Sequence, residues 1–86
     1  MSDPVTIRSS EHVADMEVDA RGLKCPLPIL RAKKALAQLE SGQLLKVVTT
    51  DPHAGRDFQA FAEQTGNRLV AQVEHEGVVA HWLRRR

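Results

Sequence analysis

The chain has 86 residues, with 12 Lys and Arg against 11 Asp and Glu for a formal net charge of +1. That length fits one domain, and so balanced a charge argues against a dedicated nucleic-acid binder, which carries a clear basic excess. The single cysteine, Cys25, excludes an intrachain disulfide, a CxxC redox pair and a thiolate-rich zinc site.

Residues 1–12 are polar and lack a stable period, so they read as a mobile tail. They also lack the basic-then-apolar order of a secretion signal, and no apolar run approaches bilayer length. Residues 13–86 read as one domain. Val13 to Asp19 alternates, with Ala14, Met16 and Val18 on one face and Asp15, Glu17 and Asp19 on the other. That is the period of a half-buried strand. Arg21-Gly22-Leu23-Lys24 turns out of it, and Gly22 supplies backbone freedom.

A helix is predicted from about Pro26 to Glu40. Ile29, Ala32, Ala35, Leu36 and Leu39 form its apolar stripe, opposite Arg31, Lys34 and Gln38. Leu27 and Leu30 fall off that stripe. Ser41-Gly42 ends the helix. Leu44 to Thr50 reads as a second strand, parallel to the first because a helix joins them. Asp51-Pro52 reads as a helix start, an acceptor followed by proline at the first helical position. Ala54, Phe58, Phe61, Ala62 and Thr65 then repeat at helical spacing up to Gly66.

The end reads as a hairpin about Glu76-Gly77, with His75 opposite Val78, Val73 opposite Ala80 and Ala71 opposite Trp82. This register is expected to put Leu69, Ala71, Val73, Ala80 and Trp82 on the core face, and Gln72, Glu74 and His81 on the other. The element order is βαβαββ. The expected fold is an α/β (α+β) two-layer sandwich, with both helices on one face of a four-stranded sheet.

Cys25 lies where a strand hands over to a helix. The reactive form of cysteine is the thiolate, which a helix N-terminus and nearby cations stabilise. Lys24 and Arg21 are candidate cations. Pro26 and Pro28 stiffen the first turn without costing an internal hydrogen bond. A residue before proline avoids the α region, so the helix starts at Pro26 or at Pro28. A moderately lowered thiol pKa follows as an expectation, since exchange favours an attacking thiol with a pKa near ambient pH. The bland alternative is a buried, inert cysteine.

Asp19-x-x-Gly22-x-x-Cys25-Pro26-x-Pro28 resembles the signature of the TusA/SirA-like family of small sulfur-carrier proteins. The resemblance runs from Met16 to the C-terminus and includes Asp51-Pro52 and Arg56-Asp57. It implies a βαβαββ fold with a mixed four-stranded sheet. It also implies that Cys25 takes sulfane sulfur as a persulfide from a donor, such as a cysteine desulfurase or rhodanese, and passes it to a cysteine-bearing acceptor protein. The routes it implies are tRNA thiolation, cofactor synthesis or sulfur metabolism. Asp19, Arg21, Gly22, Lys24, Pro26 and Pro28 are then supporting residues, and Leu27, Arg56 and Asp57 candidate docking residues.

No cofactor and no metal are expected. His12, His53, His75 and His81 lack the supporting ligands of a zinc site. A monomer in the cytoplasm, a reducing compartment, fits the free thiol. A carrier is favoured over a free-standing enzyme because no general acid or substrate pocket is identifiable. Two rivals stand beside it. One is a regulatory or RNA-binding module with a structural Cys25, using the Arg84-Arg85-Arg86 run. The other is a peroxidase or redox sensor working through sulfenic acid.

Overall fold

Apolar residues alternate from Met16 onward, and strand β1 spans Met16–Ala20. Its Ala20 is fully buried, while Glu17 and Asp19 face solvent. The computed structural model describes residues 14–86, so the expected tail and Val13 lie outside the described residues. Helix α1 is Leu27–Ala37, β2 is Leu44–Thr49, α2 is Ala54–Thr65, β3 is Arg68–His75 and β4 is Val78–Arg84.

The sheet order is β1-β2-β4-β3. β1 and β2 are parallel, as a helical crossover requires. β4 is antiparallel to both β2 and β3. Both helices pack on one face. Ala32, Ala35 and Leu36 of α1, with Leu39 just beyond its end at Ala37, meet Leu45, Val47 and Leu83 of the sheet, and Phe58, Phe61 and Ala62 of α2 complete the core. Leu27 and Leu30 remain 47% and 53% exposed, which places them off the packed stripe as their spacing implies.

The hairpin register is as predicted, with His75 paired to Val78, Val73 to Ala80 and Ala71 to Trp82. Its two turn residues, Glu76 and Gly77, have φ of 52° and 83°. Positive φ at both positions suits the right-handed twist of the flanking strands. Gly77 adopts it without steric cost, whereas Glu76 does not.

From Ala71 onward the two faces of the hairpin are the reverse of the expected ones. The helix-covered face carries His81 and Leu83, which pair with Val47 and Leu45. Trp82 pairs with Lys46 and lies on the open face, where the Lys46 ammonium sits 5.4 Å from its ring centroid. A register shift between Leu69 and Ala71 leaves Val70 as an extra residue. Such a bulge interrupts alternation, so Leu69 returns to the core face while Ala71 stays on the open one.

His81 is fully buried because each of its polar atoms is satisfied. Gln72 Nε2 donates to its Nδ1 (3.0 Å), so Nε2 carries the ring proton and donates to Thr49 Oγ1 (2.8 Å). The ring stacks on Phe58 at 4.5 Å. Gln72 Nε2 also donates to Gly55 O (3.0 Å), tying the first turn of α2 to the sheet.

The C-terminal arginine run serves the fold. Arg85 Nε donates to Leu36 O (2.9 Å) at the end of α1, where helix carbonyls lack partners. Arg84 donates to Gly42 O (2.8 Å), and the Arg86 side chain lies over Gly66.

Two outcomes are expected. Burial pulls His81 from 6.5 down to about 4. The unfolded chain therefore binds this proton first as pH falls. The stabilisation from the neutral ring is complete above 6.5 and is lost progressively towards 4, by about 3 kcal/mol. Urea midpoints measured across that window should fall, and a flat profile would contradict the buried neutral ring. Separately, Glu76→Asn should raise the unfolding free energy by about 0.5 kcal/mol, read as a higher urea midpoint, because asparagine tolerates the left-handed region.

Candidate functional site

Two parallel strands end at the same side of a sheet. Ala20 pairs with Thr49, so the loop leaving β1 and the loop leaving β2 run side by side. The first carries Arg21 to Pro26 and the second carries Thr50 to His53. Open α/β sheets place ligand sites beyond the carboxyl ends of their strands for this reason.

Two long-range hydrogen bonds join the loops. The Gly22 N–H donates to Thr50 Oγ1 (2.9 Å), and the Cys25 N–H donates to Asp51 Oδ2 (2.8 Å). Gly22 has φ 81°, a conformation that residues with a side chain rarely adopt. Together the loops line an open groove of roughly 530 Å³ that includes Leu23, Lys24, Cys25, Pro52 and His53. Cys25 is free and exposed on this groove, not buried as the bland alternative required.

The helix that follows starts at neither of the expected prolines. Pro26 is the N-cap and Leu27 the first helical residue. Pro28 is buried in the first turn, a core position its sequence context did not signal. Cys25 therefore stands just outside the helix. The first turn has little to offer an anion. Pro26 and Pro28 have no N–H, and the Leu27 N–H donates to Lys24 O (2.8 Å).

The local charge is also opposite to the expectation. The Cys25 thiol is pushed up from its ordinary value, not lowered. The largest cause is its hydrogen bond to the Asp57 carboxylate, followed by desolvation and by the negative charges of Asp57 and Asp51. A hydrogen bond donated by the thiol favours the protonated form, and nearby carboxylates disfavour the thiolate. Arg21 does not offset them, because Asp19 holds it. Asp19 Oδ1 accepts from Arg21 Nε (2.9 Å) and from its backbone N–H (3.1 Å), while Oδ2 accepts from the second guanidinium nitrogen (2.9 Å). These contacts hold the Asp19 carboxyl down to about 2. Asp19 and Arg21 thus lock the turn beside the groove.

Asp51 is the residue whose place sequence reasoning missed. It was expected to cap a helix at Pro52, but α2 begins at Ala54. Its Oδ1 accepts the His53 N–H (3.0 Å), and its Oδ2 serves Cys25. These contacts, the one to His53 first, hold its carboxyl below the usual range. The available signal was topological, since parallel strands bring the two loops together. Asp57 occupies the first turn of α2 and reaches the thiol. Leu27 lies exposed next to the cysteine loop, whereas Arg56 is exposed on α2 and does not line the groove. Among the described residues, no group of three His, Cys, Asp or Glu could hold a metal ion.

Residues 16–85 match the family model described as sulfurtransferase TusA. The chain is 58% identical over 69 residues to a protein named sulfur carrier protein TusA from Allochromatium vinosum, across 80% of this chain and 90% of the relative. It is 40% identical over 72 residues to the putative sulfur carrier protein YrkI of Bacillus subtilis, across 84% of this chain and 96% of that one. The crystal structure of a SirA-like protein from Desulfitobacterium hafniense matches with a TM-score of 0.73 at 34% identity, covering 80% of this chain and 95% of that chain.

The acidic surroundings make Asp57→Asn informative. Removing the carboxylate removes the largest cause of the raised thiol pKa. The pH midpoint of Cys25 alkylation by iodoacetamide should therefore move down relative to the unaltered protein. A midpoint that stays put or rises would contradict the Asp57 contact.

Proposed function

This chain belongs to the TusA family, and from that membership we propose that it is a sulfur carrier whose cargo rides on Cys25 as a persulfide. The observation that supports this most is the exposed Cys25 thiol on an open groove, with no second thiol in the chain. A carrier must present its sulfur to two successive partners, and a neighbouring thiol would discharge the load.

The chemistry is thiol exchange. The Cys25 thiolate attacks the outer sulfur of a donor persulfide. The donor's S–S bond breaks, its inner sulfur leaves as a thiolate, and a new S–S bond gives Cys25–S–SH. Delivery repeats the step in reverse roles. An acceptor cysteine thiolate attacks the outer sulfur, and Cys25 leaves as thiolate. The thiol's raised pKa keeps the resting carrier mostly protonated at neutral pH, so the attacking form is a minority species until a partner changes its surroundings.

Pro26 and Pro28 set the path of the chain behind the sulfur, and Gly22 permits the turn that brings it to the groove. Asp19 and Arg21 brace that turn, and Lys24 lines the groove. Leu27 and Arg56 belong to the surface that donor and acceptor proteins would meet. A donor such as a cysteine desulfurase or rhodanese and a cysteine-bearing acceptor suit this chemistry. An exposed free thiol suits a reducing cytoplasm, and among the described residues no helix is long and apolar enough to cross a membrane. The RNA-binding alternative loses its main support, because the arginine run is engaged with backbone carbonyls and with the end of α2.

Incubation with glutathione persulfide followed by intact-mass measurement tests the proposal. A gain of one sulfur is expected for the unaltered protein and none for Cys25→Ser. A gain that persists in the serine variant, or no gain in either, would overturn it.

A further inference from the structure

The mechanism above needs a sulfur, but the structure also specifies what holds that sulfur in place. Asp51 is the hub. Its side chain is only 7% exposed although it lies in a surface loop. One oxygen accepts the Cys25 N–H at 2.8 Å and the other accepts the His53 N–H at 3.0 Å. His53 O in turn accepts the Asp57 N–H at 3.1 Å, which places Asp57 in the first turn of α2. The Asp57 carboxylate then meets the Cys25 thiol. Hydrogen bonds thus link Cys25 to Asp51, Asp51 to His53 and His53 to Asp57, and this chain sets the Asp57 carboxylate whose charge acts on the Cys25 thiol.

We propose that Asp51 is the positioning residue of the carrier site: its buried carboxylate pins the Cys25 backbone to the turn that precedes α2, and so holds the thiol against Asp57. This role rests on the reading of Cys25 as the sulfur-bearing residue. Asp51 touches no transferred sulfur and acts through the cysteine amide. The ionisable groups that face the thiol are Asp57 from α2 and Asp51 from the β2–α2 loop, and Lys24 and His53 line the same groove.

A charge alone and a clamp predict different outcomes. If Asp51 contributed only its negative charge, its effect on the thiol would add to that of Asp57, because the two fixed charges act independently. If it positions the thiol, losing it also loses the Asp57 contact, and the two effects overlap. Non-additivity in a double-mutant cycle measures this overlap.

The experiment uses the full chain and the pH dependence of iodoacetamide alkylation of Cys25. It compares the unaltered protein, Asp51→Asn, Asp57→Asn and the double variant. The clamp predicts that each single variant lowers the alkylation midpoint and that the double variant falls short of their sum. Asp51→Glu is the deciding companion. It keeps the charge but misplaces the oxygens, so the clamp predicts a midpoint lowered by about half a unit, an about threefold faster alkylation at fixed pH below the midpoint. Additive shifts in the cycle, or a glutamate variant that alkylates like the unaltered protein, would overturn the positioning role. Urea midpoints confirm that each variant is folded. Sulfur loading from glutathione persulfide is measured beside them. Failure of the unaltered protein to gain sulfur would overturn the carrier function, while the cycle would still report on Asp51.

Discussion

Parallel pairing between β1 and β2 is the constraint from which the site follows. It sets the ends of both strands at one side of the sheet and brings two loops, 26 residues apart in sequence, within hydrogen-bonding distance at Cys25 and Asp51. The pairing itself follows from a helix placed between the strands, because only a right-handed crossover lets that helix return to pack on the sheet. An antiparallel arrangement would send the second loop to the far end, and Cys25 would have neither Asp51 nor Asp57 as a neighbour.

The electrostatics of the site reverse the simplest picture of an activated cysteine. A helix N-terminus attracts anions through unpaired N–H groups. Here two prolines remove such groups and the Lys24 carbonyl takes a third. Two carboxylates then favour the protonated thiol. This suits a carrier better than a free-standing catalyst. A permanently ionised, exposed thiol would react with whatever electrophile reached it, whereas a protonated one is a weaker nucleophile. The two prolines are thus better understood through the shape they impose than through any help to the thiolate.

The sheet carries its own departure from simple patterning. Alternation along the hairpin assigned tryptophan to the core and histidine to solvent. The histidine is inside because Thr49 and Gln72 satisfy both ring nitrogens and Phe58 covers its face. The tryptophan is outside the helix-packed core, with Lys46 over its ring. One bulged residue, Val70, separates Leu69 from the alternation that follows. Polarity is a weak guide when a polar group can be fully bonded and an apolar one can be covered by a long cationic side chain.

Local pattern alone determined the six elements, their order, the hairpin register and the parallel pairing, because each depends on residue spacing, turn chemistry or the handedness of a crossover. It also singled out Cys25, the only thiol in a chain with a proline on either side of Leu27. Tertiary structure decided the rest. Which face of the hairpin turned inward depended on a bulge and on partners from β2 and α2. The state of the thiol depended on Asp51 and Asp57, which are remote in sequence and act only after the loops meet. Spacing encodes what lies within a turn or along a strand, whereas charge and burial sum over neighbours that only folding brings together.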